Sequence, residues 1–307
     1  MKRLSILLLC LCLLTGCAGQ TSRVQQTVYA MDTVMDLQVW GDDCEKATGQ
    51  LQDMISALES DWSVTRKDSL INRLNSGGVV LTREQHDLLE QVTAMKERTD
   101  GAYDPQLYAL CSAWGFYGQQ FRVPSQQEID DALSGKQWDL GGAMKGYCGD
   151  QAVSILNALN VDRAILNLGG NIQTYGSKPD STPWQVGIQN PEGGDPIGIL
   201  SITGTMAVVT SGDYQRAFES GGKTYHHILD PETGRPAQSG LRSVTVICKD
   251  GLTADCLSTG LYVMGLEKAT QLWRESDDFE AVFLTDDGQL YATAGARLTN
   301  CSFEVIP

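Results

Sequence analysis

The spacing of apolar residues predicts several amphipathic helices. Over residues 45–58 the apolar positions recur at three- and four-residue intervals, as on one face of a helix: Ala47, Leu51, Met54, Ile55 and Leu58. Capping and breaker signals extend the prediction to helices at residues 68–75, 82–98, 107–114, 126–133, 145–160 and 252–264. Asp213 is also a suitable N-cap for a short helix at 214–218.

Between these helices, β-prone and alternating runs predict strands. The first covers residues 28–40, and the others lie at 164–168, 184–189, 197–202, 206–209, 223–227, 244–248, 279–284 and 289–293. The last two flank Asp287-Gly288, a dipeptide typical of a β-hairpin. Long helices together with antiparallel strands predict an α+β fold, and no tandem repeat interrupts it.

The N-terminus has the features of a lipoprotein signal. Lys2 and Arg3 precede an apolar run over residues 4–14, which is shorter than the about 20 residues of a transmembrane helix. The run ends in the lipobox-like sequence Leu14-Thr15-Gly16-Cys17. We therefore expect a signal peptide at 1–16, lipidation of Cys17 with chains such as palmitate, a tether at 17–26 and one domain at 27–307. The alternative is an ordinary signal peptide with a chance cysteine.

The net charge limits the classes of partner that the chain can bind, and the cysteine spacing limits the metal and redox sites that it can form. The formal net charge is −15, and removal of Lys2 and Arg3 would make it more negative still. Such a chain repels nucleic acid, and it binds a phosphorylated ligand only through a cation or directed backbone N–H groups. Six cysteines follow Cys17 without a C-x-x-C pair, so structural zinc and a thioredoxin-type motif are disfavoured. Their pairing is left open.

Two of the three histidines are adjacent, in a segment that runs from a predicted strand into an Asp230-Pro231 turn. Successive strand residues point to opposite faces, so only one of His226 and His227 can face a given pocket. The alternative is a hairpin corner in which both are half-exposed. The third histidine, His86, lies among polar residues of a predicted helix and is expected at the surface.

Two further segments have the chemistry of an anion or metal site. Gly141-Gly142 joins a strand-like segment to a helix that carries Lys145, a geometry suited to binding an anion or to tight helix packing. Asp255 and Thr259 are four residues apart and share a helical face. Their oxygens suit Mg²⁺, although Asp255 could instead only favour the helix N-terminus.

A series of motifs resembles the FAD:protein FMN transferases, the ApbE-type lipoproteins. The series runs from Met31 to the C-terminus: Met31-Asp32-Thr33, Asp68-Ser69 to Asn75, Gly101-x-Tyr103-Asp104-Pro105, Trp114-Gly115-Phe116, Asp139-Leu140-Gly141-Gly142-x-x-Lys145-Gly146, Asn167-Leu168-Gly169-Gly170, Thr210-Ser211-Gly212-Asp213-Tyr214, His226-His227-Ile228-x-Asp230-Pro231-x-Thr233-Gly234 and Ala254-Asp255-x-x-x-Thr259. The resemblance implies one compact α/β unit of the ApbE type, related to the T-fold.

The resemblance also implies roles for individual residues. Those expected to hold FAD are Met31, Trp114, Gly115, Phe116, Asp139, Lys145 and Ile228. The Gly142 carbonyl, Asp255 and Thr259 would hold Mg²⁺, with His227 as acid/base and Asp255 also essential to catalysis. One departure is Thr65, where the family usually has an aromatic residue; Trp62 and Phe116 are the alternative rings.

The family's reaction splits FAD and transfers FMN through its phosphate to a Thr or Ser of a target protein, releasing AMP. The expected partners are therefore FAD and an acceptor protein, here a membrane redox subunit, met at the outer face of the cell membrane. Two other functions share the same motifs. They are an FAD pyrophosphatase, in which water replaces the hydroxyl, and a lipid-anchored flavin-binding protein without turnover.

Overall fold

The structure, a computed structural model, describes residues 22–118 and 120–307. The expected signal peptide, Cys17 and the first part of the expected tether lie outside these residues.

The helices are α1 (Cys44–Trp62), α2 (Leu70–Asn75), α3 (Arg83–Arg98), α4 (Tyr108–Ala113), α5 (Gln126–Ser134), α6 (Met144–Asn157) and α7 (Gly251–Arg274). The strands are β1 (Arg23–Ala30), β2 (Thr33–Trp40), β3 (Arg163–Leu168), β4 (Asn171–Tyr175), β5 (Trp184–Ile188), β6 (Gly198–Ile202), β7 (Met206–Gly212), β8 (Ala217–Ser220), β9 (Lys223–His226), β10 (Leu241–Cys248), β11 (Phe279–Thr285), β12 (Leu290–Thr293), β13 (Leu298–Thr299) and β14 (Glu304–Ile306).

A nine-stranded sheet with the order β1-β2-β3-β4-β7-β10-β11-β12-β14 runs through the molecule. Its neighbouring strands are antiparallel except for the last pair, β12 and β14. A smaller sheet contains β13, β6 and β5, and β8 pairs with β9. Helices and mainly antiparallel strands in one chain confirm the predicted α+β class.

Both faces of the large sheet are buried, because alternate side chains of its central strands join different cores. In β10, Val246 belongs to the same core as Leu257 and Leu261 of α7, whereas the next residue, Ile247, belongs to the core that contains Trp184 of the smaller sheet. A third core lies between α1, α6 and the first strands. The helix layer on one face of the sheet carries the residues that build the site below.

The predicted strand at 28–40 is wrong in one respect: it is a hairpin. Met31 and Asp32 have φ angles of 51° and 56° and form the turn between β1 and β2. Neither residue is the glycine or asparagine that normally marks such a turn, so the pattern looked continuous. The sheet begins at Arg23, so residues 23–26, expected in a tether, belong to β1.

The helix predicted at 214–218 is not formed. β7 continues to Gly212 and leads into the β8–β9 hairpin, in which Ala217 pairs with His226. Pairing with β9 therefore outweighs the local capping signal of Asp213. The sequence analysis also missed β4, which pairs on both edges, with β3 and β7.

Most other elements follow the predicted pattern. Thr82 and Ser125 cap α3 and α5 through complete capping boxes. The hairpin over Asp287-Gly288 joins β11 to β12. The helix predicted to end at Met264 is interrupted there by Gly265, with φ 76°, and then continues to Arg274.

Two general properties of the described residues concern membrane-spanning helices and cysteines. None of their helices combines the length and apolar character needed to cross a membrane. The six cysteines after Cys17 are all unpaired thiols: Cys44, Cys111, Cys148, Cys248, Cys256 and Cys301. Four of them, Cys44, Cys148, Cys248 and Cys256, are buried as small apolar core residues, whereas Cys111 and Cys301 are partly exposed.

Candidate active site

A cavity of about 790 Å³ opens where the β1–β2 turn, the end of α1 and the N-terminal halves of α6 and α7 approach one another. Segments far apart in sequence supply its walls. The predicted site residues that line it are Met31, Asp139, Gly142, Lys145, His227, Ile228, Asp255 and Thr259. The fold therefore brings most of the predicted site into one space.

The Gly141-Gly142 turn leads directly into α6 and is held by Asp139. Asp139 accepts a hydrogen bond from the Gly141 N–H at 3.0 Å and another from the Tyr117 hydroxyl. Burial raises the pKa of Asp139, and these two hydrogen bonds oppose the shift because they stabilise the carboxylate. The carboxylate thus sets the shape of the turn as well as lining the cavity.

Asp255 and Thr259 face the same turn from α7. One Asp255 oxygen accepts the Gly146 N–H at 2.8 Å, and the Thr259 hydroxyl lies 3.1 Å from that of Ser211. A side chain on Gly142 would contact the Thr259 hydroxyl at 3.4 Å, so the Gly142 backbone lies close to it. A carboxylate, a hydroxyl and a backbone segment therefore meet within the cavity.

Lys145 provides a cation close to these oxygens. Its ammonium lies 3.4 Å from the carbonyl of Gly169. Burial lowers the pKa of Lys145, whereas the charge of Asp255 raises it. Burial also raises the pKa of Asp255, and Lys145 opposes that shift. The two groups stabilise each other's charged forms in a site that penalises both.

The two adjacent histidines have different surroundings. His226 bonds the Ala237 carbonyl through Nε2 at 3.1 Å, whereas His227 lines the cavity. Burial is the main cause that lowers the pKa of His227, to about 3, and the charge of Arg216 adds to it. His227 Nδ1 and the hydroxyl of Tyr103, another cavity residue, are buried without a hydrogen-bond partner among the described residues.

Comparison with known proteins agrees with this geometry. Residues 31–283 match the sequence model of the ApbE family. The chain belongs to the ApbE family. It is 30% identical to the FAD:protein FMN transferase of Treponema pallidum, with 95% of this chain and 93% of the relative covered. The FAD:protein FMN transferase of Klebsiella pneumoniae is 31% identical, with 83% of this chain and 87% of that protein covered.

Solved ApbE structures share the fold. The ApbE protein of Thermotoga maritima superposes with a TM-score of 0.82 at 31% identity, covering 88% of this chain and 96% of that one. The flavinyl transferase ApbE of Pseudomonas stutzeri gives 0.76 at 29% identity, covering 92% and 95%. The predicted ApbE-type fold, as a single compact unit, is confirmed.

Three of the ApbE motif residues expected to hold FAD lie behind the cavity wall and not on it. Trp114 is fully buried and donates its indole N–H to the Gly234 carbonyl at 2.8 Å. Phe116 packs with Trp114 and lies 6.4 Å, ring centre to ring centre, from His227. Gly115 has φ 74°, and a side chain there would overlap the Gln120 backbone. The two rings thus pack with β8, β9 and His227, and a role of this motif in holding FAD stays a prediction.

The residues at the rim of the cavity show which aromatic ring could replace the one that is missing at Thr65. Thr65 is exposed on the rim, and Trp62 lines the cavity beside it. Phe116 does not line the cavity. Trp62 is therefore the alternative ring that a ligand in this cavity can contact.

Several cavity residues were missed by sequence reasoning. Arg216 lies in the segment predicted as a helix, and Tyr117 follows the aromatic motif without a signal of its own. Ser211 and Tyr103 stood within the quoted motifs, which were the available signal for them. His86 is exposed as expected; it lies 3.6 Å from Glu90 on the surface of α3, away from the cavity.

Proposed function

We propose that this chain is a flavin transferase that cleaves FAD and joins FMN to a Thr or Ser hydroxyl of an acceptor protein, with release of AMP. The observation that carries the proposal is the meeting of His227, Lys145 and the Asp255–Thr259 oxygens in one cavity. Family membership and the names of the relatives support the same activity.

The donor set fits Mg²⁺. Asp255 supplies a buried carboxylate, Thr259 a hydroxyl and Gly142 a backbone carbonyl at the adjoining turn. Hard oxygen ligands with places left for water and phosphate are what this ion prefers. When bound, Mg²⁺ would neutralise charge on the pyrophosphate and on the departing AMP. In a protein of net charge −15, such neutralisation is needed before a pyrophosphate can approach.

The chain's own residues would then bind the negatively charged substrate and accept the proton of the acceptor hydroxyl. Lys145 and Arg216 place positive charge at the cavity, where the phosphates would lie. The acceptor oxygen forms a bond to the FMN phosphorus as the bond from that phosphorus to the AMP oxygen breaks. AMP keeps that electron pair, and the hydroxyl proton passes to His227. Burial lowers the pKa of His227 to about 3 and keeps its imidazole neutral, and the negative charge of bound phosphates would raise that pKa towards the range in which it accepts the proton.

The decisive experiment follows both products of the reaction. The purified protein is incubated with FAD, Mg²⁺ and a candidate acceptor, and AMP release and co-migration of flavin with the acceptor are measured. A transferase gives both, and omission of the acceptor suppresses most AMP. AMP release that is independent of acceptor indicates an FAD pyrophosphatase. Flavin binding without AMP release would overturn the proposal in favour of a flavin-binding protein.

We further propose that the chain acts as a lipid-anchored protein on the outer face of the cell membrane, on a membrane redox subunit as acceptor. Leu14-Thr15-Gly16-Cys17 supports this location. Cys17→Ala should release the protein from the membrane fraction or leave it unprocessed. Normal processing and unchanged membrane fractionation of that variant would contradict the anchor.

A further inference from the structure

The proposed metal ligands lie in the turn before α6 and in α7. Gly142 precedes α6, whereas Asp255 and Thr259 belong to α7. Their relative placement therefore depends on how the start of α7 lies against α6. The Gly146–Asp255 hydrogen bond is one link between the two helices, and it involves a ligand itself.

Asp150, one helical turn after Gly146, makes a second link that involves no ligand. One of its oxygens accepts the Gly251 N–H at 2.6 Å, and the other accepts the Leu252 N–H at 2.8 Å. Both N–H groups belong to the first turn of α7, where no intrahelical acceptor exists. A single carboxylate of α6 thus binds the positive end of α7 through both oxygens.

The backbones of the two helices touch at the same place. A side chain on Gly146 would overlap the Gly251 carbonyl, and one on Gly251 would overlap the Gly146 carbonyl. A side chain on Gly251 would also lie 3.0 Å from Asp150. Direct backbone contact leaves no intervening side chain to adjust, so a change in the Asp150 hydrogen bonds moves the start of α7 itself.

Asp250 offers an internal comparison. It is the N-cap of α7 and accepts the Thr253 N–H at 2.7 Å. Its hydrogen bond stays within one segment, whereas those of Asp150 join residues 101 and 102 positions apart. Both aspartates stabilise the same helix end, but only Asp150 ties it to α6.

We propose that Asp150 is a positioning residue, which holds Asp255 and Thr259 of α7 in register with Gly142 for metal binding. The inference rests on the proposed function, because it concerns the Mg²⁺ site of that reaction. It assigns to Asp150 an effect on metal affinity that a helix cap alone does not have.

The test compares Asp150→Asn with Asp250→Asn. Each substitution replaces one carboxyl oxygen at the same helix end by an amide nitrogen, with little change of volume. Mn²⁺ binding is measured by electron paramagnetic resonance in the presence of ADP, which carries the adenosine and pyrophosphate of FAD. We expect about tenfold weaker Mn²⁺ binding for Asp150→Asn and about wild-type binding for Asp250→Asn. Melting temperatures should fall in both variants.

Equal losses of Mn²⁺ affinity in the two variants, in proportion to their losses of melting temperature, would overturn the positioning role. Unchanged Mn²⁺ binding in Asp150→Asn would overturn it as well. If Asp150→Asn does not fold, Asp150→Ser, which keeps one oxygen acceptor, takes its place in the same comparison. FMN transfer by the wild-type protein is assayed in parallel. A wild type that binds Mn²⁺ but transfers no FMN refutes the proposed function alone, because the comparison of metal affinities still decides the role of Asp150.

Discussion

The cavity has two walls that are built in different ways. The helix wall consists of Lys145, Asp255 and Thr259 with Gly142 of the turn before α6, and the loop wall of Met31 and Thr65 with Trp62, the last residue of α1. Hydrogen bonds between distant segments hold the helix wall, among them that from Gly146 to Asp255. The helix wall contains Lys145 and the candidate metal ligands.

The loop wall is held more loosely. Its turn places two non-glycine residues, Met31 and Asp32, at positive φ, which costs about 1–2 kcal/mol per residue. One hydrogen bond, from the Met31 N–H to Glu59 at 3.0 Å, supports it, and Thr65 is exposed. We therefore expect the rate of the reaction to depend strongly on the helix wall, whereas changes in the loop wall should alter ligand affinity in smaller steps.

The largest expected effect is that of Asp255→Asn in the helix wall. The amide keeps an oxygen for the Gly146 N–H but removes the negative charge that a divalent cation needs. We expect FMN transfer to be abolished and the melting temperature to stay close to that of the wild type. Activity and Mg²⁺ dependence are measured beside Asp250→Asn as control. An undiminished rate would leave Asp255 only its structural role as acceptor of the Gly146 N–H.

The second-largest effect should be a difference in transfer rate between variants of the two adjacent histidines. His227→Ala should lower the transfer rate about 10²- to 10⁴-fold, the usual contribution of a general base, while FAD binding changes little. His226→Ala should lose far less, because that imidazole bonds the Ala237 carbonyl and does not line the cavity. AMP release, FAD affinity and melting temperature are compared in both variants. Equal activity losses that track stability would remove His227 from the chemistry.

A pH series tests the burial of His227. Its pKa is lowered to about 3 in the folded protein, against 6.5 when unfolded, so between these values the unfolded chain binds the additional proton. This contribution to stability is complete above pH 6.5 and is lost as pH falls, by up to about 1.4 kcal/mol per pH unit.

The measurement is the difference between wild type and His227→Gln in free energy of unfolding, from urea titrations at pH 4, 5, 6 and 7. Taking the difference cancels the carboxyls with raised pKa, such as Asp150 at about 7, which act in the opposite direction. Parallel curves for the two proteins would show that His227 has the same pKa in the folded and unfolded states and is therefore not shifted by burial.

The smallest effect is expected in the loop wall. Thr65→Tyr adds a ring at the rim, where a stacking contact with flavin is worth about 0.5–1.5 kcal/mol. We expect FAD to bind up to about tenfold more tightly with little change in turnover. Thr65→Val, which has no ring, is the control, and affinity is measured by flavin fluorescence. Unchanged or weaker binding would mean that Trp62 already covers this face.

The site's chemistry was largely visible in the chain. The spacing of Asp255 and Thr259 places both on one helical face whatever the rest of the fold does. Capping boxes at Thr82 and Ser125, and the turn over Asp287-Gly288, are equally local. Such features follow from the sequence alone because every interaction they need lies within a few residues.

Other features depend on partners that are remote in sequence. The Met31–Asp32 turn and the β8–β9 hairpin form through strand pairing against weak or contrary local signals. Packing against β8 and β9 places Trp114 and Phe116 behind the wall that their motif was expected to line. The tie from Asp150 to α7 spans about a hundred residues. Only the tertiary structure decides these points, because the free energy of a long-range contact depends on which segments the whole fold brings together.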